Sequence, residues 1–274
     1  MKELVYRLDD IYFKYTDNWV LEDMSFDVTE GEIFGIIGPN GSGKSSLLKL
    51  LSRINISHNG HIYLDGIDIS LIGREELSRT ISYVPQESYF LFPYTVTETV
   101  LMGRIPHMNA RFFEDSNDTR VVTDAMRAVG IDILKDRPIT DISGGEKQRA
   151  IIARALAQEP NILILDEPTT SLDIGHQIEI FNLLSRLNYA QGLTIILSLH
   201  DLNIASQYCH RIMLMNRGKV YAIGTPCEVI TEENIRDVYR CNVVIDKHPV
   251  SGTPRVNLVA GKRTSSSFAL HNEQ

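Results

Sequence analysis

Gly38-Pro39-Asn40-Gly41-Ser42-Gly43-Lys44-Ser45 follows the apolar run Ile33-Phe34-Gly35-Ile36-Ile37 and precedes Ser46-Leu47-Leu48-Lys49-Leu50-Leu51. In order, these segments read as a buried strand, a glycine loop and a helix, and the loop fits the pattern G-x-x-x-x-G-K-[ST] without a mismatch. Three glycines let the backbone turn through positive φ and bring its N–H groups close to a phosphate. The following helix adds its positive N-terminal end. Lys44 is then expected to reach the β and γ phosphates of a nucleotide, and the Ser45 hydroxyl to ligate Mg²⁺. A plain glycine-rich turn is the alternative, and the strand and helix on either side speak against it.

The rest of the chain sets the bounds. Its 274 residues, 43% hydrophobic and 23% charged, can bury an ordinary core, so one large domain or a domain with a sizeable insertion is expected. A net charge of −8 leaves no basic surface for a duplex, which makes nucleic acid a poor partner. Met1-Lys2-Glu3 leads into charged residues rather than a signal peptide. No apolar run approaches the roughly 20 residues of a spanning helix, so contact with a membrane is expected through a partner. Cys209, Cys227 and Cys241 are odd in number and lack C-x-x-C spacing, which points to a reducing compartment and inert thiols.

Working outward, residues 4 to 15 read as a strand pair or one long strand with Ile11, Phe13 and Tyr15 on one face, and Met24 to Val28 as a second strand. Residues 60 to 69 alternate around Asp65-Gly66 as an antiparallel hairpin does. Ile81 to Gln86 is a short strand, followed by the aromatic stretch Tyr89 to Tyr94, which is either core lining or a docking surface. Helical patterns cover Thr97 to Met102 and Asp118 to Val129, the latter closed by Gly130, and a further helix opens at Ser143. This run of helices, at about 88–158, reads as an inserted subdomain. Residues 211 to 224 form another hairpin around Asn216-Arg217-Gly218, and 248 to 254 are turn-rich. A loosely ordered tail is expected over 256–274.

Three buried strands deliver their first polar groups to one edge of a parallel sheet, where open α/β sheets bind ligands. These groups are the glycine loop, Asp166-Glu167 after Asn161 to Leu165, and His200 after Thr194 to Leu199. Asp166 can hold a metal that screens the triphosphate. Glu167 points the other way and is the candidate for polarising an attacking water. Gln86 is suited to sensing metal and γ-phosphate, and His200 to bonding the γ-phosphate or orienting the water. Ser143-Gly144-Gly145-Glu146 has capping-box spacing with two bare glycines, and is either an ordinary helix cap or a second anion site.

This ordered set resembles the nucleotide-binding subunit of ATP-binding cassette transporters over about residues 3 to 255. The resemblance implies an α/β fold with a P-loop NTPase core of mostly parallel sheet, an antiparallel β subdomain and an inserted α-helical subdomain, all in one ATPase domain over 1–255. It identifies 38 to 45 as Walker A, with Ser46 beside it where Thr is usual, Gln86 as the Q-loop glutamine, and Ser143 to Glu146 as the signature. The signature has Ile142 and Glu146 where Leu and Gln are commonest. Residues 162 to 167 resemble Walker B with catalytic Glu167, Ser171-Leu172-Asp173 the D-loop, and His200 the switch histidine. Tyr15 is similar in position to the aromatic that stacks on adenine, with Phe13 and Trp19 as rivals.

The resemblance further implies ATP and Mg²⁺, the metal on Ser45, Gln86 and Asp166, and head-to-tail pairing with a second copy whose signature end closes over the γ-phosphate. Two permease subunits and an extracytoplasmic binding protein would complete the assembly at the cytoplasmic face of the membrane. Val100 to His107, with Val238-Tyr239-Arg240 and Lys247 to Gly252, is similar to the importer branch for iron-siderophore, haem and cobalamin. A molybdate or tungstate importer, an exporter subunit, a soluble cassette ATPase and a regulator without turnover are the alternatives.

Overall fold

A computed structural model describes residues 3–88, 90–108, 115–170 and 172–259. The chain opens with β1 (Leu4–Lys14), β2 (Trp19–Thr29) and β3 (Ile33–Ile37), then α1 (Lys44–Leu51), β4 (Asn59–Leu64), β5 (Ile67–Asp68), α2 (Arg74–Thr80) and β6 (Ile81–Val84). Helices α3 (Val96–Leu101), α4 (Ser116–Val129) and α5 (Gly144–Ala157) follow, then β7 (Ile162–Leu165), α6 (Ile174–Gln191), β8 (Thr194–Ser198) and α7 (Leu202–Tyr208). The chain continues through β9 (Arg211–Asn216), β10 (Lys219–Gly224), α8 (Pro226–Val229), α9 (Glu232–Tyr239), β11 (Val243–Lys247) and β12 (Pro254–Leu258).

A six-stranded sheet in the order β10-β9-β3-β8-β7-β6 carries the site. Its strands from β9 to β6 pair in parallel, and β10 closes one edge antiparallel to β9. A separate antiparallel sheet, β2-β1-β4-β5, lies beside it. β1 is a single strand that ends at Lys14: Ile11 and Phe13 are buried as expected, while Tyr15, just past its end, is 59% exposed. The β4–β5 hairpin turns at Asp65 and Gly66, both at positive φ, as a two-residue hairpin loop requires.

Strand alternation divides the core. Leu163 and Leu165 face one cluster together with Ile195, Leu197, Leu214, α5 and α6. Ile162 and Ile164 face the other, with Ile196, Met213, Met215, the α1 leucines and β1–β2. Residues of period two therefore feed both faces, which is why these strands are apolar throughout. Phe26 of β2 stacks on Phe34 of β3 at 5.7 Å and locks the antiparallel sheet onto the parallel one. At about 1.5–3 kcal/mol for each buried Leu, Ile or Phe, this double core gives the sheet edge a rigid base.

Helices α3, α4 and α5 pack Val96, Val100, Val122, Met126 and Ile151 into the first cluster. Gly130 ends α4 at φ 72, a left-handed cap. The tail boundary expected at 255 needs correction. β12 continues through Leu258, pairing Val256 with Ile245 and Leu258 with Val243, because the turn-rich stretch 248 to 254 folds back as a hairpin. Residues 260–274 of that tail lie outside the described residues.

Candidate active site

The glycine loop connects β3 to α1. Gly38 and Gly43 have φ of 151° and 100°. A Cβ at Gly38 would overlap Met215 O, and one at Gly43 would sit 2.7 Å from Leu21 Cδ2, so both positions need glycine. The loop is braced by Gly218 N–H donating to Ser42 O at 3.1 Å. Gly43 is the N-cap of α1 and offers no side-chain bond, leaving the first-turn amides of a helix end bare. The Ser42 hydroxyl is buried without a hydrogen-bond partner among the described residues. Bare first-turn amides beside two positions that admit only glycine fit a polyphosphate.

Lys44 is buried, and its Nζ donates to Gly38 O at 3.0 Å. Burial pulls its pKa down from the ordinary lysine value, against the opposing fields of Glu167 and Asp166. Asp166, buried at the end of β7, accepts from Ser198 Oγ at 2.7 Å, Ser45 Oγ at 3.0 Å and Tyr83 OH at 3.3 Å. Burial, then the Asp166 charge, raises the Tyr83 phenol pKa. Among the described residues no group of three His, Cys, Asp or Glu side chains converges on a cation. One carboxylate beside one hydroxyl is instead the sparse, all-oxygen set that suits Mg²⁺ shared with water and phosphate.

Glu167 takes a different direction from its neighbour. Its backbone lies at φ 48, a strained region for a non-glycine residue, and its N–H donates to Ser198 Oγ at 2.8 Å. Its carboxylate accepts from Gln86 Nε2 at 2.7 Å and Thr170 Oγ1 at 3.2 Å, and lies 2.5 Å from His200 Nε2. His200 occupies the turn between β8 and α7, whose N-cap is Asp201. Thus Gln86, Glu167, His200, Asp166 and Ser45 form one connected cluster at the carboxyl edge of the sheet. Pro39, Asn40 and Gly41 complete the loop above it.

Of the three aromatics proposed near this edge, Phe13 is buried, and Trp19 packs against Tyr12, His58 and Lys14. Tyr15 is exposed; its OH lies 3.4 Å from Ser46 Oγ and accepts from Asn55 Nδ2 at 3.1 Å. Through Ser46, the Tyr15 hydroxyl is tied to the first turn of α1.

Ser143 and Glu146 form a reciprocal capping box at the start of α5, with Glu146 Oε2 accepting from Ser143 N–H at 2.8 Å. Those bonds hold the Glu146 carboxyl below the usual range. Ser143 and Gly144 are exposed, whereas Gly145 lies under the ring of His176 and a Cβ there would sit 2.9 Å from its Cγ. His176 Nδ1 in turn bonds Asp173 Oδ2 at 2.9 Å, linking this helix end to the start of α6. Ser171 lies outside the described residues; Leu172 lies beside Gly144, and Asp173 caps α6.

Sequence reading missed Ser198, Tyr83 and Thr170, which hold the two acids. A lone serine in an apolar buried strand, two residues before the sheet edge, is the signal that could have found Ser198. An open cavity of about 660 Å³ lies at the opposite edge, against Ile162 and Thr194 and lined by Glu3, Glu30 and Asp65, and holds none of these groups.

A family model described as ABC transporter matches residues 21–170. The ferric enterobactin transport ATP-binding protein FepC of Escherichia coli (strain K12) is 43% identical over 258 residues, covering 94% of this chain and 93% of that protein. The iron(3+)-hydroxamate import ATP-binding protein FhuC of Bacillus subtilis (strain 168) is 39% identical, over 88% and 89% of the two chains. Among solved structures, a chain from a transporter described as metal-chelate type, in an inward-facing conformation, matches with TM-score 0.83 at 28% identity, over 94% of this chain and 98% of that one. A dimeric bacterial ABC transporter cassette, MJ0796, matches with TM-score 0.69 at 27% identity, over 81% and 98%.

Proposed function

The chain belongs to the ABC transporter family, and from that premise we propose that it is the ATP-hydrolysing subunit of an importer for metal chelates of the iron-siderophore, haem or cobalamin kind. The observation that carries the chemistry is the Glu167 carboxylate, bonded to Gln86 at 2.7 Å and 2.5 Å from His200, one residue beyond the Asp166–Ser45 pair. Likeness to FepC and FhuC along almost the whole chain supports the importer branch.

In this reading Gly38 to Gly43 and the α1 amides bind the phosphates, with Lys44 leaving Gly38 O for the β and γ oxygens. Ser45, Asp166 and Gln86 are the oxygen donors that would hold Mg²⁺, with Ser46 supporting Ser45. When bound, the ion neutralises charge that builds on the phosphoryl oxygens. Glu167 accepts the proton of the attacking water, and His200 and Gln86 orient both the carboxylate and the γ-phosphate. Tyr15 supplies the face for adenine, held by Asn55 and Ser46.

Ser143, Gly144, Gly145 and the cap of Glu146 form the second half-site, presented to a partner copy's nucleotide. ATP then joins the two copies and its hydrolysis releases them. Two permease subunits, fed by an extracytoplasmic binding protein, are the proposed membrane partners. The exposed side chains of Leu91, Phe92 and Ile105 on the helical subdomain support a docking face for them. Tyr89 of that stretch lies outside the described residues. No described helix is long and apolar enough to cross a membrane, so attachment at the cytoplasmic face would run through those subunits. One ATPase domain spans 1–255 with its helical insertion, and β12 extends the unit to Leu258.

Phosphate release tests the reading. Wild-type protein with Mg²⁺ and ATP is expected to turn over, and Glu167→Gln to bind ATP while turnover falls by about 10²–10⁴-fold, the range of general-base catalysis. Wild-type turnover in Glu167→Gln would remove that residue from its role.

A further inference from the structure

Gly103-Arg104-Ile105-Pro106-His107 takes no part in the site above, yet it is among the most heavily bonded segments of the helical subdomain. Arg104, with 3% of its side chain exposed, donates Nε–H to Asp118 Oδ1 of α4 at 2.9 Å. Its Nη1 donates to Ala157 O, the last residue of α5, and to Glu159 Oε2, both at 2.7 Å. His107 Nε2 lies 2.8 Å from the next carbonyl, Gln158 O. The Gln158 side chain continues the network, donating to Ile81 O at 2.7 Å and to Ser78 O, and accepting from Ser82 Oγ at 3.2 Å. Arg79 Nε–H closes it on Pro106 O at 3.0 Å. Gly103 lies so close to α5 that a Cβ there would overlap Arg154 O.

The last carbonyls of a helix have no partners of their own, and this one segment bonds that of Ala157 and that of Gln158, the C-cap of α5. A buried charge pair brings little net stability once desolvation is counted, whereas the three bonds of Arg104 tie α4, the end of α5 and Glu159 to one point. What they fix is the far end of the helix whose first residues are Ser143, Gly144 and Gly145. We propose that Arg104 and His107 are positioning residues for the two-copy ATP site: they anchor the C-terminal end of α5 and thereby set the attitude of its signature end. This rests on the reading that Ser143 to Gly145 close on a partner copy's nucleotide.

Fourteen residues make α5 about 21 Å long, so a tilt of about 3° at the anchor moves the signature end by about 1 Å. A misplacement of that size can cost on the order of 10²-fold in rate. The segment also follows α3 and the exposed Leu91-Phe92 stretch, which places the anchor between the proposed permease face and the signature.

Arg104→Lys keeps the charge against Asp118 but not the fork that reaches three acceptors. His107→Leu removes the donor to Gln158 O, and His107→Gln keeps one. Full-length protein of each variant is compared for monomer ATP affinity, kcat and thermal unfolding, with Ser143→Arg as reference. Arg104→Lys and His107→Leu are expected to bind ATP within about twofold of wild type while kcat falls about tenfold or more, and His107→Gln to recover most of it. Wild-type kcat in both Arg104→Lys and His107→Leu, beside an inactive Ser143→Arg, would overturn the inference alone. Full activity in Ser143→Arg would overturn the reading beneath it. A loss of ATP affinity as large as the loss of kcat would mark a general structural role and also refute the positioning claim.

Discussion

Ser198→Ala removes one hydroxyl that serves both acids of the site. Ser198 is fully buried; it donates to Asp166 Oδ1 at 2.7 Å and accepts from Glu167 N–H at 2.8 Å. A hydrogen bond to a charged group is worth about 1.5–3 kcal/mol, and orphaning a buried amide costs about 1–3 kcal/mol. Asp166 keeps Ser45 and Tyr83, so the two losses do not simply add, and about 3 kcal/mol is the expected total. For a chain of this length that corresponds to a fall in Tm of about 6–12 °C. The same amide bond helps hold Glu167 at φ 48, a conformation that costs about 1–3 kcal/mol. Once it is released, Glu167 is expected to relax away from Gln86 and His200, lowering kcat by roughly 10- to 10²-fold. Lys44 and the loop amides are untouched, so ATP affinity should barely move. Thermal unfolding, equilibrium ATP binding and phosphate release on one preparation read all three quantities. A Tm within about 2 °C of wild type together with wild-type kcat would refute the reasoning.

Gly145→Ala should keep the fold but lower kcat by about tenfold or more, because its Cβ displaces the His176 ring from the signature end; steady-state kinetics read this directly. Saturating ATP at about 100 times Kd should stabilise wild-type protein by about 2.7 kcal/mol, and Lys44→Ala should lose that gain in a thermal-shift series. Burial pushes the Cys209 thiol up to about 12, whereas Cys227 and Cys241 are exposed. A thiol reagent at pH 8 should therefore titrate Cys227 and Cys241 in native protein and Cys209 only on unfolding. Because the folded pKa of Cys209 is the higher one, its contribution to stability is intact below the unfolded value near 9 and is lost as pH rises toward 12.

The sequence made the chemistry legible wherever a local pattern carries its own geometry. The glycine loop, the apolar strands 162–165 and 194–198 and the Ser143–Glu146 cap are each decided within a few residues. The hairpins at 59–68 and 211–224 are fixed in the same way by Asp65-Gly66 and Arg217-Gly218 at positive φ. Groups that act only after distant strands pair were not legible. Ser198 meets Asp166 because β7 and β8 are neighbours, and Tyr83 meets it because β6 pairs with β7. The helix α6 also went unread: its buried residues from Ile180 to Asn188 recur at helical spacing, but exposed Ile174 and Ile178 ahead of them place apolar side chains off that face and blur the start of the pattern. The hairpin β11–β12 was hidden by Pro249 and Pro254, which marked a turn but not the strands it joins.

Light scattering of full-length Glu167→Gln with Mg²⁺ and ATP tests the two-copy site most directly, since arrested hydrolysis should hold the closed form. A particle of twice the 30.9 kDa chain mass is expected with ATP, reverting to 30.9 kDa with ADP and in the double variant that adds Ser143→Arg. A species that stays at 30.9 kDa with ATP bound, alongside wild-type turnover strictly proportional to protein concentration down to nanomolar levels, would contradict it.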